Sequence, residues 1–309
     1  MSDVTVAIPS FRRPRGLKRL LLALERLDTK ANVRVLVADN DAERREALAL
    51  CLELDATGYR WPLVCVVAPE RGIAQARNAL VEHVVANGPA DFIAMLDDDE
   101  WPEPAWLDAF LSVQKETGAD ALHGAVLRDF EQQPGVWAQT SHGIAPLRGE
   151  TGAIPMIEGT SNVLISRACL EGLEKPCFDP NFALTGGEDR DFFERLRRQG
   201  RRFAWADEAV VHSWVPASRA SFVWVLQRAY RTGNSDMRVF LKHGHSRIET
   251  VREVAKIAAA ATLCPGMLIV LAPFVRRWTD ALCKLCRAAG KTTALMGRRY
   301  DEYATIHGA

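Results

Sequence analysis

The residues with the clearest chemical potential are four consecutive carboxylates at positions 97–100, which follow the apolar run 92–96. Carboxylates this close raise the free-energy cost of ionising one another, so they are best tolerated where a cation relieves the repulsion. Oxygen ligands favour a hard cation such as Mg²⁺ or Mn²⁺, which commonly binds one or two carboxylates together with substrate phosphates. The pattern predicts a metal–phosphate site here, with a solvated acidic turn as the alternative interpretation.

A second acidic pair, Glu188 and Asp189, follows the glycine-containing segment 184–187 and begins a predicted helix. Unpaired amide groups and the helix dipole favour ionised carboxylates at this position. Acids are common in first helical turns, so ordinary helix charge is the alternative interpretation. Beside a metal–phosphate site, an exposed carboxylate on a glycine-rich loop becomes a candidate general base.

Four further residues are candidates for contacts with phosphate or metal. Arg77 lies about one helix turn beyond Gly72, Arg228 and Arg231 share one face of a predicted helix, and His212 ends an apolar strand. Arginine is suited to bidentate contacts with phosphate. Solvated helix-surface arginines and a structural histidine are the alternatives that the sequence leaves open.

The elements that must position these residues alternate between strands and helices. Apolar runs predict buried strands at 4–9, 33–38, 63–68 and 91–96, and apolar periodicity predicts helices near 17–27, 73–85 and 103–116. This alternation predicts a Rossmann-like α/β fold with a mainly parallel central sheet. Right-handed crossovers place the loops after the strands at one edge. Ser10, Asp39, Arg71 and Asp97 are therefore expected around a single crevice.

The charge is balanced overall but unevenly distributed along the 309 residues. Residues 216–309 hold 15 Lys/Arg and 6 Asp/Glu, a net charge of +9, and residues 1–215 hold 24 and 33, a net charge of −9. We predict a catalytic domain over 1–215 and a helical, basic tail over 216–309. No recognition motif supports binding to nucleic acid. The seven scattered cysteines, without a signal peptide, indicate a reducing cytosolic setting.

The tail contains an uncharged segment, 257–275, that is barely long enough to cross a bilayer. Pro265-Gly266 and Pro273 interrupt it, and prolines break helices. Basic residues lie on both sides, which disfavours a single crossing under the positive-inside tendency. We predict a broken helical pair on or in the inner leaflet, with its basic residues on anionic headgroups. A buried helical hairpin is the alternative.

The chain resembles the family-two glycosyltransferases with the glycosyltransferase A fold, and most of all their bacterial exopolysaccharide branch, the succinoglycan-type sugar transferases. The matching segments lie in the expected order over most of residues 4–233. They are VAIPSFRRP at 6–14, VADN at 37–40, RGIAQARN at 71–78, LDDDEWP at 96–102, GTSN at 159–162, GGED at 186–189 and WVLQRAYRTG at 224–233.

The resemblance implies roles for the donor-binding residues. The nucleoside of a nucleotide-diphosphate sugar would be held by Pro9, Ser10, Arg12, Asp39 and Arg77. Asp97 and Asp99 correspond to the acidic motif that binds Mn²⁺ or Mg²⁺, with Asp99 favoured as the direct ligand. Asp98 between them would contact the donor.

The resemblance also implies catalytic roles. Asp189 corresponds to the catalytic base, with Glu188 beside it as a second candidate, and His212 to an additional metal or diphosphate contact. Arg228 and Arg231 correspond to a diphosphate-binding element, although the tryptophan that ends this element in the family is absent here.

The implied activity is an inverting, metal-dependent sugar transfer from a nucleotide-diphosphate sugar, with a UDP-sugar as the expected donor. The acceptor would be a hydroxyl of a glycan or lipid-linked polysaccharide precursor at the cytoplasmic face of the cell membrane. One alternative is a nucleotidyltransferase, which more typically has a glycine-rich loop with a lysine after its first strand. Another is a non-catalytic sugar or membrane adaptor that retains the fold.

Overall fold

The computed structural model describes residues 1–88, 90–141 and 143–300, and this part of the chain contains one nine-stranded sheet. The strands are β1 Asp3–Ser10, β2 Asn32–Asp39, β3 Leu63–Val67, β4 Phe92–Met95, β5 Glu100–Pro102, β6 Ala121–Phe130, β7 Gly152–Ile154, β8 Val163–Ser166 and β9 Phe203–Val215. The helices are α1 Pro14–Leu24, α2 Glu46–Ala56, α3 Ile73–Ala86, α4 Trp106–Thr117, α5 Arg167–Glu171, α6 Glu188–Arg198, α7 Phe222–His243, α8 Arg247–Val270 and α9 Val275–Leu295.

The sheet order is β3-β2-β1-β4-β8-β6-β9-β5, and β7 pairs with β9. The first four strands in this order run parallel, as the alternating pattern predicts. The strand β8 runs antiparallel to both of its neighbours, and β5 and β7 run antiparallel to β9. The α/β class is therefore confirmed, but the sheet is mixed because the three short strands β5, β7 and β8 run opposite to the others.

Helices cover both faces of the sheet, so its parallel strands are buried on both sides. On β1, Val4, Val6 and Ile8 pack against α1, α2 and α4, whereas Ala7 faces α3. The strand period of two residues explains this division. Because the parallel strands end at one edge, the loops after β1, β2, β3 and β4 converge there.

The C-terminal helices form a separate layer in which α7 and α9 pack together and α8 is exposed. Only 6% of the most apolar 18-residue window of α8 is buried, and in the described part of the chain α8 is the one helix long and apolar enough to cross a membrane. The helix continues through Pro265, so the break predicted there was wrong. The expected interruption near Pro273 is present, because α8 ends at Val270 and α9 begins at Val275.

Candidate active site

The loop after β1 is held against the acidic residues that follow β4. Ser10 Oγ and the Phe11 backbone N–H both donate to Asp98 Oδ2, at 3.0 and 3.3 Å. Arg13 Nη1 lies 3.1 Å from Asp98 Oδ1 and 3.0 Å from Asp99 Oδ2. Asp98 is buried, and burial raises its pKa to about 6. The Asp98 carboxylate thus connects the two loops, which form one wall of a cavity.

Asp97 and Asp99 present carboxylates to the same cavity. The Asp97 side chain is 37% exposed, and Arg77 Nη2 lies 3.3 Å from its Oδ1. The protein around Asp97 raises its pKa by desolvation; Arg77 opposes this effect and the Asp99 carboxylate adds to it. Asp99 Oδ2 also lies 3.2 Å from Arg219 Nη1, in the loop between β9 and α7. Arginines therefore balance part of the negative charge that the sequence predicts here.

Arg77 connects the acidic loop to the start of α6. While one guanidinium nitrogen contacts Asp97, the other donates to Glu188. Arg77 and Glu188 are both buried, and burial together with the neighbouring Asp189 raises the pKa of Glu188 to about 7. The two sequence-predicted acidic sites are therefore joined through one buried arginine.

Asp189 lies in the first turn of α6, where the helix dipole stabilises a carboxylate. Gly186 and Gly187 before it have φ of +72° and +103°, a region that favours glycine. A Cβ on Gly187 would lie 3.1 Å from Ser235 Cβ, so α7 fixes this turn closely. A Cβ on Gly159 would lie 3.7 Å from Asp189 Oδ2. The glycines thus allow two loops to approach the Asp189 carboxylate.

These groups line a cavity of about 680 Å³, within the range of small-molecule binding sites. One side is formed by the loops after the parallel strands, and the other by α7, α9 and the loop between β7 and β8. The sequence-predicted residues that line it are Pro9, Ser10, Arg71, Arg77, Asp97, Asp98, Asp99, Glu188, Asp189, Arg228 and Arg231.

Asp39 and Arg12 are not among the residues that line the cavity. Asp39 is 1% exposed, and its two oxygens accept from the backbone N–H groups of Asp41 and Leu48, both at 3.0 Å. Arg12 Nε donates to Asp41 Oδ2 at 2.6 Å. Both side chains thus stabilise the loop after β2. Asn40 lines the cavity instead.

His212 is also placed outside the cavity lining. Its ring stacks on Trp101 at a centroid distance of 5.5 Å, and its Nδ1 and Nε2 lie 3.1 and 3.4 Å from carboxylate oxygens of Asp129 and Glu103. The adjacent Ser213 lines the cavity, because successive side chains of a strand point to opposite faces. The structure therefore does not bring His212 to the predicted metal ligands.

Five arginines of the cavity were not predicted as site residues from the sequence, namely Arg13, Arg128, Arg190, Arg219 and Arg287. Arg13 follows the predicted nucleoside-binding segment directly, so the motif itself could have indicated it. Arg219 and Arg287 come from the β9–α7 loop and from α9, and both line the cavity. No local motif marks either residue, because only the packing of α7 and α9 brings them to the site.

The donor set fits a hard divalent cation that is shared with a substrate. Within the described ranges, no cluster of three or more His, Cys, Asp or Glu side chains is arranged to hold a metal by itself. Asp97 and Asp99 provide two carboxylates at the cavity surface, which matches the tendency of Mg²⁺ to use one or two carboxylates plus phosphate oxygens. The residues present are therefore compatible with a metal bound jointly with a diphosphate.

Solved structures with a similar fold include glycosyltransferases with the glycosyltransferase A fold. The mannosyltransferase PcManGT from Pyrobaculum calidifontis, solved in complex with GDP-Man and Mn²⁺, superimposes with a TM-score of 0.63 at 18% identity, covering 96% of this chain and 87% of that one. TarS residues 1–349 from S. aureus give a TM-score of 0.50 at 14% identity, covering 96% and 92%. At these identities the likeness establishes the fold alone.

The sequence comparisons identify the family, which the structural likeness does not. Residues 5–169 match the model of glycosyl transferase family 2. The succinoglycan biosynthesis protein ExoM of Rhizobium meliloti (strain 1021) is 30% identical over 306 residues, which cover 97% of this chain and 94% of that protein. The chain belongs to glycosyl transferase family 2 and is a glycosyltransferase, as its motifs predict.

Proposed function

We propose that this protein transfers a sugar, with inversion, from a nucleotide-diphosphate sugar to an acceptor hydroxyl during assembly of an exopolysaccharide or its lipid-linked precursor. The observation that carries the proposal is the cavity that Asp189 shares with Asp97 and Asp99, in which Arg77 on α3 links Asp97 to Glu188, the residue before Asp189. The similarity to a succinoglycan biosynthesis protein supports the polysaccharide, and the PcManGT complex with GDP-Man and Mn²⁺ supports the donor class and a divalent cation.

The base in this proposal is Asp189. Its carboxylate lines the cavity at the start of α6, where it is able to accept the proton of an acceptor hydroxyl. The oxygen of that hydroxyl then attacks the anomeric carbon in one displacement, and the nucleoside diphosphate leaves. Glu188 is the weaker candidate because it is buried against Arg77 and engaged by it.

The donor would lie along the loops after β1 and β4. Pro9, Ser10 and Arg77 face its nucleoside and phosphates, and a UDP-sugar is the donor that we favour. Asp97 and Asp99 would hold Mn²⁺ or Mg²⁺, which supplies charge neutralisation for the leaving diphosphate when bound. Arg228 and Arg231 on α7 line the facing wall and would contribute positive charge to the same group.

Two substitutions separate catalysis from donor binding. Asp189→Asn should keep donor binding but lose about 10²–10⁴ in turnover, the usual contribution of a positioned base. Asp99→Ala should lose metal-dependent donor binding. Calorimetry with nucleotide and Mn²⁺ or Mg²⁺, together with nucleotide release from a panel of nucleotide sugars, measures both effects. Near-normal turnover of Asp189→Asn would remove this residue from the mechanism.

The same assay tests the two alternative functions. A nucleotidyltransferase would release pyrophosphate from a nucleoside triphosphate, whereas a glycosyltransferase releases nucleoside diphosphate from a nucleotide sugar. A non-catalytic adaptor would bind the donor without transfer or hydrolysis.

We further propose that α8 lies on the cytoplasmic face of the cell membrane. Its apolar side chains are exposed, for example Leu263 at 63% and Ile269 at 80%. Exposed basic residues flank this surface at Arg252, Lys256, Arg276 and Arg277. The helix α8 follows α7 directly and leads into α9, which turns back and packs on α7. Both ends of α8 are therefore attached to the α7–α9 layer. An orientation in the membrane plane fits this connection better than a crossing.

Flotation with vesicles of phosphatidylcholine and phosphatidylglycerol tests this membrane contact. Leu263→Glu combined with Ile269→Glu should abolish flotation, since charged side chains are costly in the apolar layer. Leu52→Glu on α2 is the matched control, because Leu52 is also 63% exposed but lies in the N-terminal half. Equal flotation of the double variant and the wild type would exclude α8 as the contact.

A further inference from the structure

Two ion pairs surround the catalytic end of α6 on the cavity wall formed by the second half of the chain. Arg190 Nη1 lies 2.8 Å from Glu158 Oε1, and Arg287 Nη2 lies 2.6 Å from Asp236 Oδ2. All four residues line the cavity. They come from α6, α7, α9 and the loop between β7 and β8, so the tertiary fold assembles them.

The Glu158–Arg190 pair is adjacent to Asp189 in the chain and in space. Arg190 directly follows Asp189, and its backbone N–H donates to Asp189 Oδ1 at 2.7 Å. Glu158 directly precedes Gly159, where a Cβ would lie 3.7 Å from Asp189 Oδ2. A molecule that gives its hydroxyl proton to Asp189 must therefore pass close to this pair.

The two pairs also influence each other. Burial opposes the charge of Arg287, but Asp236 and, more weakly, Glu158 outweigh this effect and raise its pKa. The four side chains are nevertheless partly open, with 32% exposure for Arg190, 61% for Glu158, 37% for Arg287 and 22% for Asp236. They thus form one polar surface that is accessible from the cavity.

We infer that the Glu158–Arg190 and Asp236–Arg287 pairs form the acceptor subsite, and that they bind the hydroxyl groups of a neutral saccharide. This inference rests on the proposed function, because Asp189 as the base determines which hydroxyl reacts. Guanidinium groups donate hydrogen bonds and carboxylates accept them, so the surface offers both kinds of partner to a polyhydroxylated ring.

The charge of the surface favours a neutral acceptor end over an anionic one. Its two carboxylates and two guanidinium groups sum to zero, and each guanidinium already contacts a carboxylate. A phosphate or uronate at this position would lie beside Glu158 and Asp236 and be repelled by them. A neutral sugar can exchange hydrogen bonds with both partners of a pair without changing the local charge.

The test uses the full-length protein, the nucleotide sugar that the wild type hydrolyses, and octyl glycosides of glucose, galactose, mannose and N-acetylglucosamine as acceptor probes. Arg190→Gln and Arg287→Gln should each raise the KM of the accepted glycoside about ten-fold or more, the effect of losing one charge-assisted hydrogen bond. Donor KM and the rate of donor hydrolysis without acceptor should stay within two-fold.

Arg197→Gln is the matched control. Arg197 is on the same helix as Arg190 and pairs with Glu194 at 2.7 Å, but it does not line the cavity. This variant should have the same acceptor KM and the same donor KM as the wild type. Because Arg287 also connects α9 to α7, Arg190, whose partner Glu158 lies in a loop, decides the question if Arg287→Gln is unstable.

The possible results are distinct. An unchanged acceptor KM in Arg190→Gln, or equal changes in donor and acceptor KM, would overturn the subsite. Donor hydrolysis without transfer to any octyl glycoside, or preferred transfer to octyl glucuronide, would overturn it as well while leaving the donor site intact. If the wild type neither binds nor hydrolyses any nucleotide sugar, the proposed function fails, and the inference fails with it.

Discussion

Replacing Gly233 by alanine is expected to push α9 away from α7 and to weaken both the fold and the acceptor site. A Cβ on Gly233 would lie 2.8 Å from the carbonyl carbon of Arg287 and 2.9 Å from its Cα. The contact is reciprocal, since a Cβ on Gly290 would lie 2.9 Å from the backbone nitrogen of Asn234. Ordinary contacts begin at 3.4 Å, so the carbonyl carbon at 2.8 Å alone requires the helices to separate by about 0.6 Å, and the carbonyl oxygen of Arg287, which lies closer still, requires more.

Two opposing contributions determine the change in the free energy of unfolding of Gly233→Ala. Overpacking a close contact costs about 1–3 kcal/mol, whereas removing a glycine from a helix interior gains up to about 1 kcal/mol. The net loss for Gly233→Ala is therefore up to about 3 kcal/mol. For a protein of this size, such a loss lowers Tm by several degrees, at roughly 2–4 °C per kcal/mol.

Gly266→Ala in α8 is the matched control, because a Cβ there meets nothing within 4 Å. Only the helix-propensity gain remains, so this variant should be as stable as the wild type or slightly more stable. Thermal unfolding of both variants measures the difference. The acceptor KM should rise in Gly233→Ala alone, because Arg287 bonds to Asp236 across the same helix contact. Equal Tm values for the two variants, or a stabilised Gly233→Ala, would refute the close approach of the helices.

Two buried side chains give further predictions. Burial lowers the pKa of His123, which stacks on Trp205, to about 4. Because the unfolded chain binds this proton near pH 6.5, the free energy of unfolding should fall as pH decreases from about 6.5 towards 4, by about 2 kcal/mol between pH 7 and 5. His123→Phe should remove this dependence on pH. Urea titrations that give the same pH dependence for the wild type and His123→Phe would contradict His123 as its origin. Asp39→Asn leaves one of two buried N–H groups without an acceptor and should cost about 1–3 kcal/mol while the donor KM changes less than two-fold. A large rise in donor KM at unchanged Tm would instead return Asp39 to the nucleoside site.

The parallel half of the sheet and its acidic edge follow from the sequence because both depend on local patterns. The apolar run before Asp97 has strand length, and the parallel order of β1, β2 and β4 requires their carboxyl ends to meet. Asp97 and Asp99 therefore reach the cavity as expected. The reversed strand β8 could not be predicted, since no local signal in residues 163–166 specifies the direction of its partners.

His212 and Asp39 show why site residues are harder to predict than elements. A shift of one residue along a strand moves a side chain to the opposite face, and β9 continues to Val215 instead of ending at His212. This continuation places Ser213 at the cavity. Asp39 lies at the expected strand end, but two backbone N–H groups of its own loop occupy its carboxylate. Motif position identifies the neighbourhood of a site, whereas register and local hydrogen bonds decide which side chain enters it.

The division into a catalytic domain over 1–215 and a basic tail over 216–309 stays a prediction, and the cavity argues against treating the two parts as independent. The last strand ends at Val215, but Arg228, Arg231 and Arg287 line the cavity from beyond that point. The opposite charges of the two parts, −9 and +9, meet at the cavity, where Arg219 of the tail pairs with Asp99 of the body at 3.2 Å. The α7–α9 layer thus completes the active-site wall while it carries α8. If α8 rests on a membrane, the same layer fixes the height and orientation of the acceptor side of the cavity above the lipid surface.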